Sequence, residues 1–284
     1  MSADDGTPAD DDPTPGAREG GTRRSADSAP STEDTTRTGG LPVTGPLDIS
    51  GGVTGRVTVL GVVVGLFALA VVTSRVLTAL TAATVGVGDP GTVSRLLVGV
   101  AGLQVVGFGA ALAFVVQYHE RPLSYLRVGS LDWWTAFHGA AVGLALMILT
   151  SAVTVVFRLF ALEPPAGTAA VTPDPLFYVV LFLVSTAVAV PMEELFFRGV
   201  VQRSLTAAWH PVVGVGVASL LFVGIHTGIQ VDTGGELLVA AMFFGFGVVL
   251  GVGYHVTRNL FVPVVGHAIF NGAQILTQAL DVTV

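Results

Sequence analysis

The amino-acid sequence predicts an all-α fold, a polytopic bundle of transmembrane helices, from its composition and from the arrangement of its apolar residues. Hydrophobic residues make up 51% of the 284 positions, charged residues make up 12%, and the mean hydropathy is +0.74. Soluble globular domains carry about 25% charged residues. The apolar residues also form long runs, a pattern typical of helices that cross a bilayer. These features exclude a soluble globular protein.

The first 50 residues differ in composition from the rest of the chain. Ten of the 20 acidic residues lie in residues 1–50, among many Thr, Pro, Gly and Ser and almost no apolar residues. Such a segment cannot bury enough apolar surface to fold, so we expect a disordered acidic tail. It also lacks the apolar stretch of a signal peptide. The predicted organisation is a tail over residues 1–50 and a membrane bundle over residues 51–284.

Seven apolar runs follow the tail, and they predict about seven spans, with limits of six to eight. About 20 apolar residues suffice to cross a hydrocarbon core of about 30 Å. The fourth run is unusual, because its helical pattern extends over about 33 residues, or about 50 Å, and Pro191 should kink it. The predicted spans are residues 57–74, 96–117, 135–157, 176–208, 212–229, 237–256 and 260–280.

Arginine supplies all 13 basic residues, and its distribution predicts the orientation of the bundle. Cytoplasmic connections carry an excess of basic residues. If the N-terminus is inside, the inner connections hold Arg56, Arg121, Arg127, Arg203 and Arg258, and the outer ones hold Arg95 and Arg158, with Arg75 near them. We therefore expect a multi-pass protein of the cell membrane with a cytoplasmic N-terminus.

Several kinds of site are excluded by what the sequence lacks. There is no cysteine, which rules out disulfides, thiolate metal sites and a cysteine nucleophile. No basic cluster or glycine-rich phosphate loop is present, so nucleic acid is not an expected partner. Residues 118–132 form a connection that precedes Trp133 and Trp134, as expected for a segment at the membrane interface with its aromatic belt.

A charged motif interrupts the fourth apolar run. Glu193, Glu194 and Arg198 follow the uncharged residues 176–190. An ionisable group at membrane depth costs about 2.5–3.5 kcal/mol even on lenient insertion scales, so it indicates a functional site unless a partner explains it. In a helix Glu194 and Arg198 are one turn apart and can form an ion pair. Glu193 points about 100° away and has no local cation, which makes it the candidate functional residue.

Two later spans carry further polar residues at a similar depth. For straight helices, Glu193 and His226 both lie about 25 Å from the outer side, and His267 falls in the same inner layer. Asn271 shares a helix face with His267, and Phe222 shares one with His226, where we expect it to pack against the ring. A carboxylate, two imidazoles and a carboxamide can activate water and stabilise an oxyanion in amide hydrolysis. Glu193, His226 and His267 could instead hold zinc with an open water position.

Other interpretations of these residues stay open. A single histidine in a span is more often a packing residue, and the Glu194–Arg198 pair alone is more often structural. Buried Glu and His also mark proton relays, as in a proton-coupled transporter, although the inverted repeats typical of such carriers are not found in the sequence. A non-catalytic immunity or scaffold protein could keep the ion pair, but it has no need of an unpaired Glu193.

The motifs resemble those of a known family. Three of them occur in order on successive apolar helices: Glu193-Glu194-x-x-x-Arg198, Phe222-x-x-x-His226 and His267-x-x-x-Asn271. They are similar to the motifs of the CAAX prenyl endopeptidase and bacteriocin-processing family of intramembrane proteases (CPBP), also called the Abi family. The resemblance covers residues 176–280. It implies that Glu194 and Arg198 hold the motif helix.

The resemblance also implies an activity and a set of roles. A member of this family would be a multi-spanning endopeptidase with its active site inside the membrane. Glu193 with His226 would activate the water, and His267 with Asn271 would stabilise the oxyanion or order the site. The family is also named as metalloproteases, which allows a divalent metal such as zinc. The implied partners are the lipid bilayer and a membrane-anchored or lipidated peptide or protein substrate.

Overall fold

A computed structural model describes residues 52–84, 93–118, 122–163, 174–227 and 232–283. The predicted tail, Arg121 and the end of the predicted fifth span lie outside these residues. The described part of the chain forms eight helices and no strand: α1 (Val53–Thr84), α2 (Val93–Gln117), α3 (Pro122–Tyr125), α4 (Trp133–Leu159), α5 (Pro175–Ala208), α6 (Pro211–Thr227), α7 (Gly234–Thr257) and α8 (Phe261–Thr283).

The predicted helical membrane bundle is confirmed. Among the described residues, α1, α2, α4, α5 and α7 are long and apolar enough to cross a membrane, and α6 is a shorter apolar helix of 17 residues. The seventh predicted span is also helical, as α8 with 23 residues. Five crossings therefore follow from length and composition, and the count of seven remains a prediction. The fourth predicted span is one helix of 34 residues, α5, about 51 Å long.

An aromatic cluster packs α5 against its neighbours. Phe196 and Phe197 on α5 are fully buried. The ring of Phe196 stacks on Phe108 of α2 with centroids 4.4 Å apart, and Phe197 meets Phe222 of α6 edge-to-face at 5.3 Å. Aromatic pairs in these arrangements contribute about 0.5–1.5 kcal/mol beyond the area they bury. This cluster holds α5 in place directly after the two glutamates of the charged motif.

Close helix contacts hold α6 and α8 in place. A Cβ added at Gly247 of α7 would lie 2.7 Å from the backbone of Ser219 on α6, and one at Gly139 of α4 would lie 2.6 Å from Val265 on α8. Only glycine permits these approaches. Small residues at such crossings let transmembrane helices pack closely. The two helices that carry the histidines are thus set against α7 and α4.

Helix α5 departs from α geometry on both sides of its charged motif. Wider π-helical turns run over Ser185–Ala189 and Leu195–Gln202, and a short α-helical turn, Val190–Glu194, lies between them. Pro191, which cannot donate a backbone hydrogen bond, lies in this turn. A third π-helical stretch occupies Ala101–Phe108 of α2. Such turns are rare and often occur at functional sites.

Two connections are tied together at one end of the bundle. The Asn259 side chain, between α7 and α8, donates to the Ser130 carbonyl at 2.8 Å and to the Thr135 hydroxyl at 2.9 Å. Asp132 caps α4, and the hydrogen bond it accepts from the Thr135 backbone N–H lowers the pKa of its carboxyl group. The segment before α4 therefore has a fixed position against the start of α8.

Candidate active site

The polar side chains predicted from the sequence form a layer where α5, α6 and α8 meet. Glu193, Glu194, Arg198 and His267 are all buried, with 7%, 0%, 0% and 4% of their surface exposed. His226 reaches the same layer from the end of α6. Three helices thus bring together residues that hydrocarbon would reject.

Glu194 has a partner on each of its two carboxylate oxygens. Arg198 Nε donates to Oε2 at 2.9 Å, which is the predicted ion pair, and His267 Nδ1 donates to Oε1 at 2.8 Å. The contact with His267 was not predicted, because the sequence does not reveal how α8 is rotated. The Arg198 guanidinium also lies 5.3 Å from the centre of the Phe222 ring, in a cation–π contact. Glu194, Arg198 and His267 form one connected unit, the paired cluster.

Glu193 has a more open environment. Its Oε1 accepts a hydrogen bond from Gln104 Nε2 of α2 at 3.0 Å, and its Oε2 lies 4.0 Å from His226 Nε2. The side chains of Glu193 and His226 remain 10% and 22% exposed. Gln104 was not predicted; its only signal in the sequence is an amide inside an apolar run. Glu193, Gln104 and His226 form the open cluster.

The orientation of the His226 ring is set by its own helix. Nδ1 lies 2.8 Å from the Phe222 carbonyl oxygen, and a carbonyl can only accept, so Nδ1 carries a proton. In the neutral ring Nε2 is then an acceptor. The rings of Phe222 and Phe243 pack against the imidazole with centroids 4.2 and 4.5 Å away. Phe222 therefore packs against His226 as predicted, and Nε2 is directed to Glu193.

Asn271 contacts α5 but not the two glutamates. Its Nδ2 donates to the Ser185 hydroxyl at 3.2 Å. It lies one turn beyond His267 on α8, so the two side chains share a face as predicted. Among the described contacts Asn271 links α8 to the part of α5 that precedes the charged motif.

Glu193, His226 and His267 are not arranged as the zinc site that the sequence suggested as an alternative. Across the described ranges, no group of three or more His, Cys, Asp or Glu side chains is arranged to hold a metal ion. Of the three suggested ligands, His267 is bonded to Glu194 through Nδ1, whereas Glu193 and His226 face each other. A tetrahedral zinc site needs at least three protein ligands that converge on one point.

A comparison with protein-family models finds a match in the second half of the bundle. Residues 175–273 match the model described as "Type II CAAX prenyl endopeptidase Rce1-like". The chain carries an Rce1-like domain. It spans α5, α6, α7 and the first half of α8 and contains all three motifs, which confirms the resemblance drawn from them. No curated protein and no solved structure matches the chain.

The Rce1-like domain does not include every residue of the polar layer. The Rce1-like family is a protease family, so an enzyme of general protease type is supported. Gln104, which donates to Glu193, lies on α2, outside residues 175–273. The hydrogen-bond donor to Glu193 is therefore supplied by a part of the bundle that the family model does not cover.

Proposed function

We propose that this protein is an intramembrane endopeptidase that hydrolyses a peptide bond of a membrane-associated protein or peptide, with a water activated by Glu193 and His226. One observation carries the proposal: Glu193 Oε2 and His226 Nε2 face each other at 4.0 Å. That separation is too long for a direct hydrogen bond and suits two groups bridged by a single water. The partners would be the bilayer and a membrane-anchored or lipidated substrate.

The bridging water follows from the chemistry of the two groups. An ionised carboxylate can only accept hydrogen bonds, and so can Nε2 of a neutral His226 whose proton is on Nδ1. Water has two O–H bonds and can donate one to each. Its oxygen lone pairs then point away from Glu193 and His226, toward a substrate carbonyl. Glu193 would take a proton as the oxygen attacks, and general-base catalysis of this kind contributes about 10²–10⁴-fold.

The rest of the reaction would use the other residues of the layer. Attack forms a C–O bond and puts negative charge on the carbonyl oxygen. His267, held through Nδ1 by Glu194, would present Nε2, which as an imidazolium N–H can donate to this oxyanion, and the Asn271 amide could donate one turn away. The C–N bond then breaks, and the amine leaves with the proton held by Glu193. Arg198 would keep Glu194 ionised and in place.

The decisive test is Glu193→Gln, which keeps the shape of the side chain and removes the base. Wild-type protein and variant are reconstituted in liposomes with membrane-tethered and lipidated reporter peptides, and new termini are detected by mass spectrometry in H₂¹⁸O. We expect wild-type cleavage with ¹⁸O in the new carboxyl group, and a rate at least about 100-fold lower for the variant. Glu163→Gln, the same change at an exposed residue after α4, is the matched control and should cleave normally.

Four results would contradict the proposal. Undiminished cleavage by a folded Glu193→Gln variant would remove Glu193 as the base. Stoichiometric zinc in the wild-type sample, lost on His226→Gln, would replace protein-only activation of water with a metal mechanism. Failure of every reporter to be cleaved, with proton-driven uptake into the liposomes that depends on Glu193, would favour the transporter alternative. The absence of both cleavage and uptake would favour the scaffold alternative.

A further inference from the structure

Three arginines converge at the end of the bundle where α4 and α8 begin. Arg127 lies before α4, Arg203 is on α5, and Arg258 follows α7. The Arg127 guanidinium lies 5.8 Å from the centre of the Tyr254 ring. Burial, followed by the positive charges of Arg203 and Arg258, lowers the pKa of Arg127. Arg203 Nε donates to the carbonyl of Tyr125, two residues before Arg127, at 3.2 Å. Arg203 and Arg258 are thus each close enough to Arg127 for their like charges to repel it.

This arginine cluster has no anionic partner within the part of the chain that the structure describes. No described Asp or Glu side chain lies within 4.0 Å of any of its three guanidinium groups. Arg127 and Arg203 are nevertheless half-buried. Half-buried like charges repel more strongly than exposed ones, because water screens them less. The cluster is therefore suited to an anion from outside the bundle.

The backbone is strained where it places two of these arginines. Arg127 has φ 53° and Arg258 has φ 52°, in the left-handed region that disfavours residues other than glycine. The Leu260 N–H donates to the Arg127 carbonyl at 2.9 Å and joins the two connections. Strain of this kind persists where surrounding contacts enforce it, often at functional sites. Here it brings two arginines from separate connections to one place.

The arginine cluster lies at the level of the membrane interface. Helix α4 begins with Trp133 and Trp134, which are 72% and 66% exposed. Exposed tryptophans at the end of a membrane helix mark the headgroup region. At the same end of the bundle α7 ends at Thr257 and α8 begins at Phe261. The anion that the cluster would meet there is a lipid headgroup.

An apolar groove leads away from the cluster into the bundle. It has a volume of about 350 Å³, within the usual range for ligand pockets, and every residue that lines it is apolar. Leu126 and Val128, on either side of Arg127, form part of its wall, and so does Leu260, two residues after Arg258. Its inner end reaches Leu195 of α5, next to Glu194. Positive charge at the interface and an apolar groove behind it match the two ends of a phospholipid.

We propose that an anionic phospholipid binds at this end of the bundle, with its headgroup on the arginine cluster and one acyl chain in the groove. The proposal is independent of the protease function. A lipid is favoured over a soluble phosphate because the groove is continuous with the cluster and offers only apolar surface. Basic pockets between membrane helices bind such headgroups, and each basic residue contributes about fivefold in affinity.

The test measures lipid binding to the purified full-length protein in detergent by native mass spectrometry, with thermal stability as a second measurement. Phosphatidylglycerol is compared with phosphatidylcholine of the same acyl chains, and with inorganic phosphate. Arg258→Gln removes an exposed member of the cluster, and Arg127→Gln/Arg258→Gln removes two. Arg158→Gln, at an exposed arginine in the last turn of α4, is the matched control.

We expect phosphatidylglycerol to bind more tightly than phosphatidylcholine and to raise the unfolding temperature, whereas inorganic phosphate has little effect. The preference for phosphatidylglycerol over phosphatidylcholine should fall about fivefold in Arg258→Gln and about thirtyfold in Arg127→Gln/Arg258→Gln. It should persist in Arg158→Gln. Equal binding of the two lipids would overturn the proposal, and so would an unchanged preference in Arg258→Gln. Stabilisation by inorganic phosphate equal to that by phosphatidylglycerol would assign the cluster to a soluble anion instead.

Discussion

The two adjacent glutamates of α5 lie in different environments. In the paired cluster, Glu194 is fully buried, and each of its oxygens accepts a hydrogen bond from a group that can carry positive charge. In the open cluster, Glu193 receives one neutral hydrogen bond from Gln104, faces an acceptor nitrogen of His226, and keeps some exposure. Neighbours in sequence thus differ in how completely the carboxylate is paired.

Under the proposed mechanism, the difference separates a structural from a chemical use of the same side chain. A carboxylate that accepts a hydrogen bond from a potentially cationic group on each oxygen can take up a proton only by losing one of these bonds and the charge that balances its arginine. One that has a single neutral donor can accept a proton without losing a charged partner. We therefore expect changes at Glu194 or Arg198 to lower stability and changes in the open cluster to lower the cleavage rate, whereas a change at His267 should lower both.

The largest effect is expected from Arg198→Met. This substitution keeps the length of the side chain but leaves Glu194 as a buried charge without its cation, which typically costs about 3–5 kcal/mol. The unfolding temperature in detergent should fall sharply. The double variant Glu194→Gln/Arg198→Met should lose less than Arg198→Met alone, because no unpaired charge remains.

Arg158→Met provides the control for this experiment. Arg158 is exposed at the end of α4, where substitutions usually change stability by less than about 0.5 kcal/mol. If Arg198→Met unfolds at the wild-type temperature, Glu194 does not depend on its arginine, and the contrast between the two glutamates is lost.

A smaller effect, of a different kind, is expected from Gln104→Leu. The change removes the donor to Glu193 Oε1 and keeps the bulk of the side chain, so Glu193 is no longer held toward His226. We expect kcat for reporter cleavage to fall about tenfold with little change in KM, and stability to fall by about 1–3 kcal/mol. Gln117→Leu, at an exposed glutamine on the same helix, should change neither. An equal fall in kcat for both variants would mean that Gln104 does not position Glu193.

Gln104 also marks the limit of what the sequence predicts. Glu193, His226 and His267 stand out in the sequence, because charged or titratable groups are rare in apolar runs, and helix lengths place them at one depth. A neutral amide in a span is much less costly and belongs to no motif of the resemblance. Its role depends on which face α2 turns to α5, and that is set by packing such as the contact of Phe108 with Phe196.

The paired cluster shows the same limit within the motifs. The Glu194–Arg198 pair was predictable, because residues four apart share a helix face. The choice of Glu194 rather than Glu193 as the partner of His267 depends on the rotation of α8, which is fixed by contacts such as Val265 against Gly139. Local spacing predicts contacts within a helix, and only the packed bundle determines contacts between helices.

The smallest effect is expected from Ser185→Ala, which tests whether the contact of Asn271 belongs to either cluster. The hydrogen bond from Asn271 is 3.2 Å long, joins two neutral groups and is half-buried, so its loss should cost about 0.5–1.5 kcal/mol. Thermal unfolding should show this small loss, and Ser151→Ala, at an exposed serine of α4, should show none.

Cleavage by Ser185→Ala should stay within about threefold of wild type, because the substitution leaves every donor and acceptor of the open cluster in place and only loosens the tie between α5 and α8. A loss of about 100-fold would instead mean that Ser185 holds Asn271 in the position from which it stabilises the oxyanion, since removing one such donor costs about that much. Ser185 would then act on the oxyanion through Asn271, and the division between a paired and an open cluster would have to include these two residues as a third group.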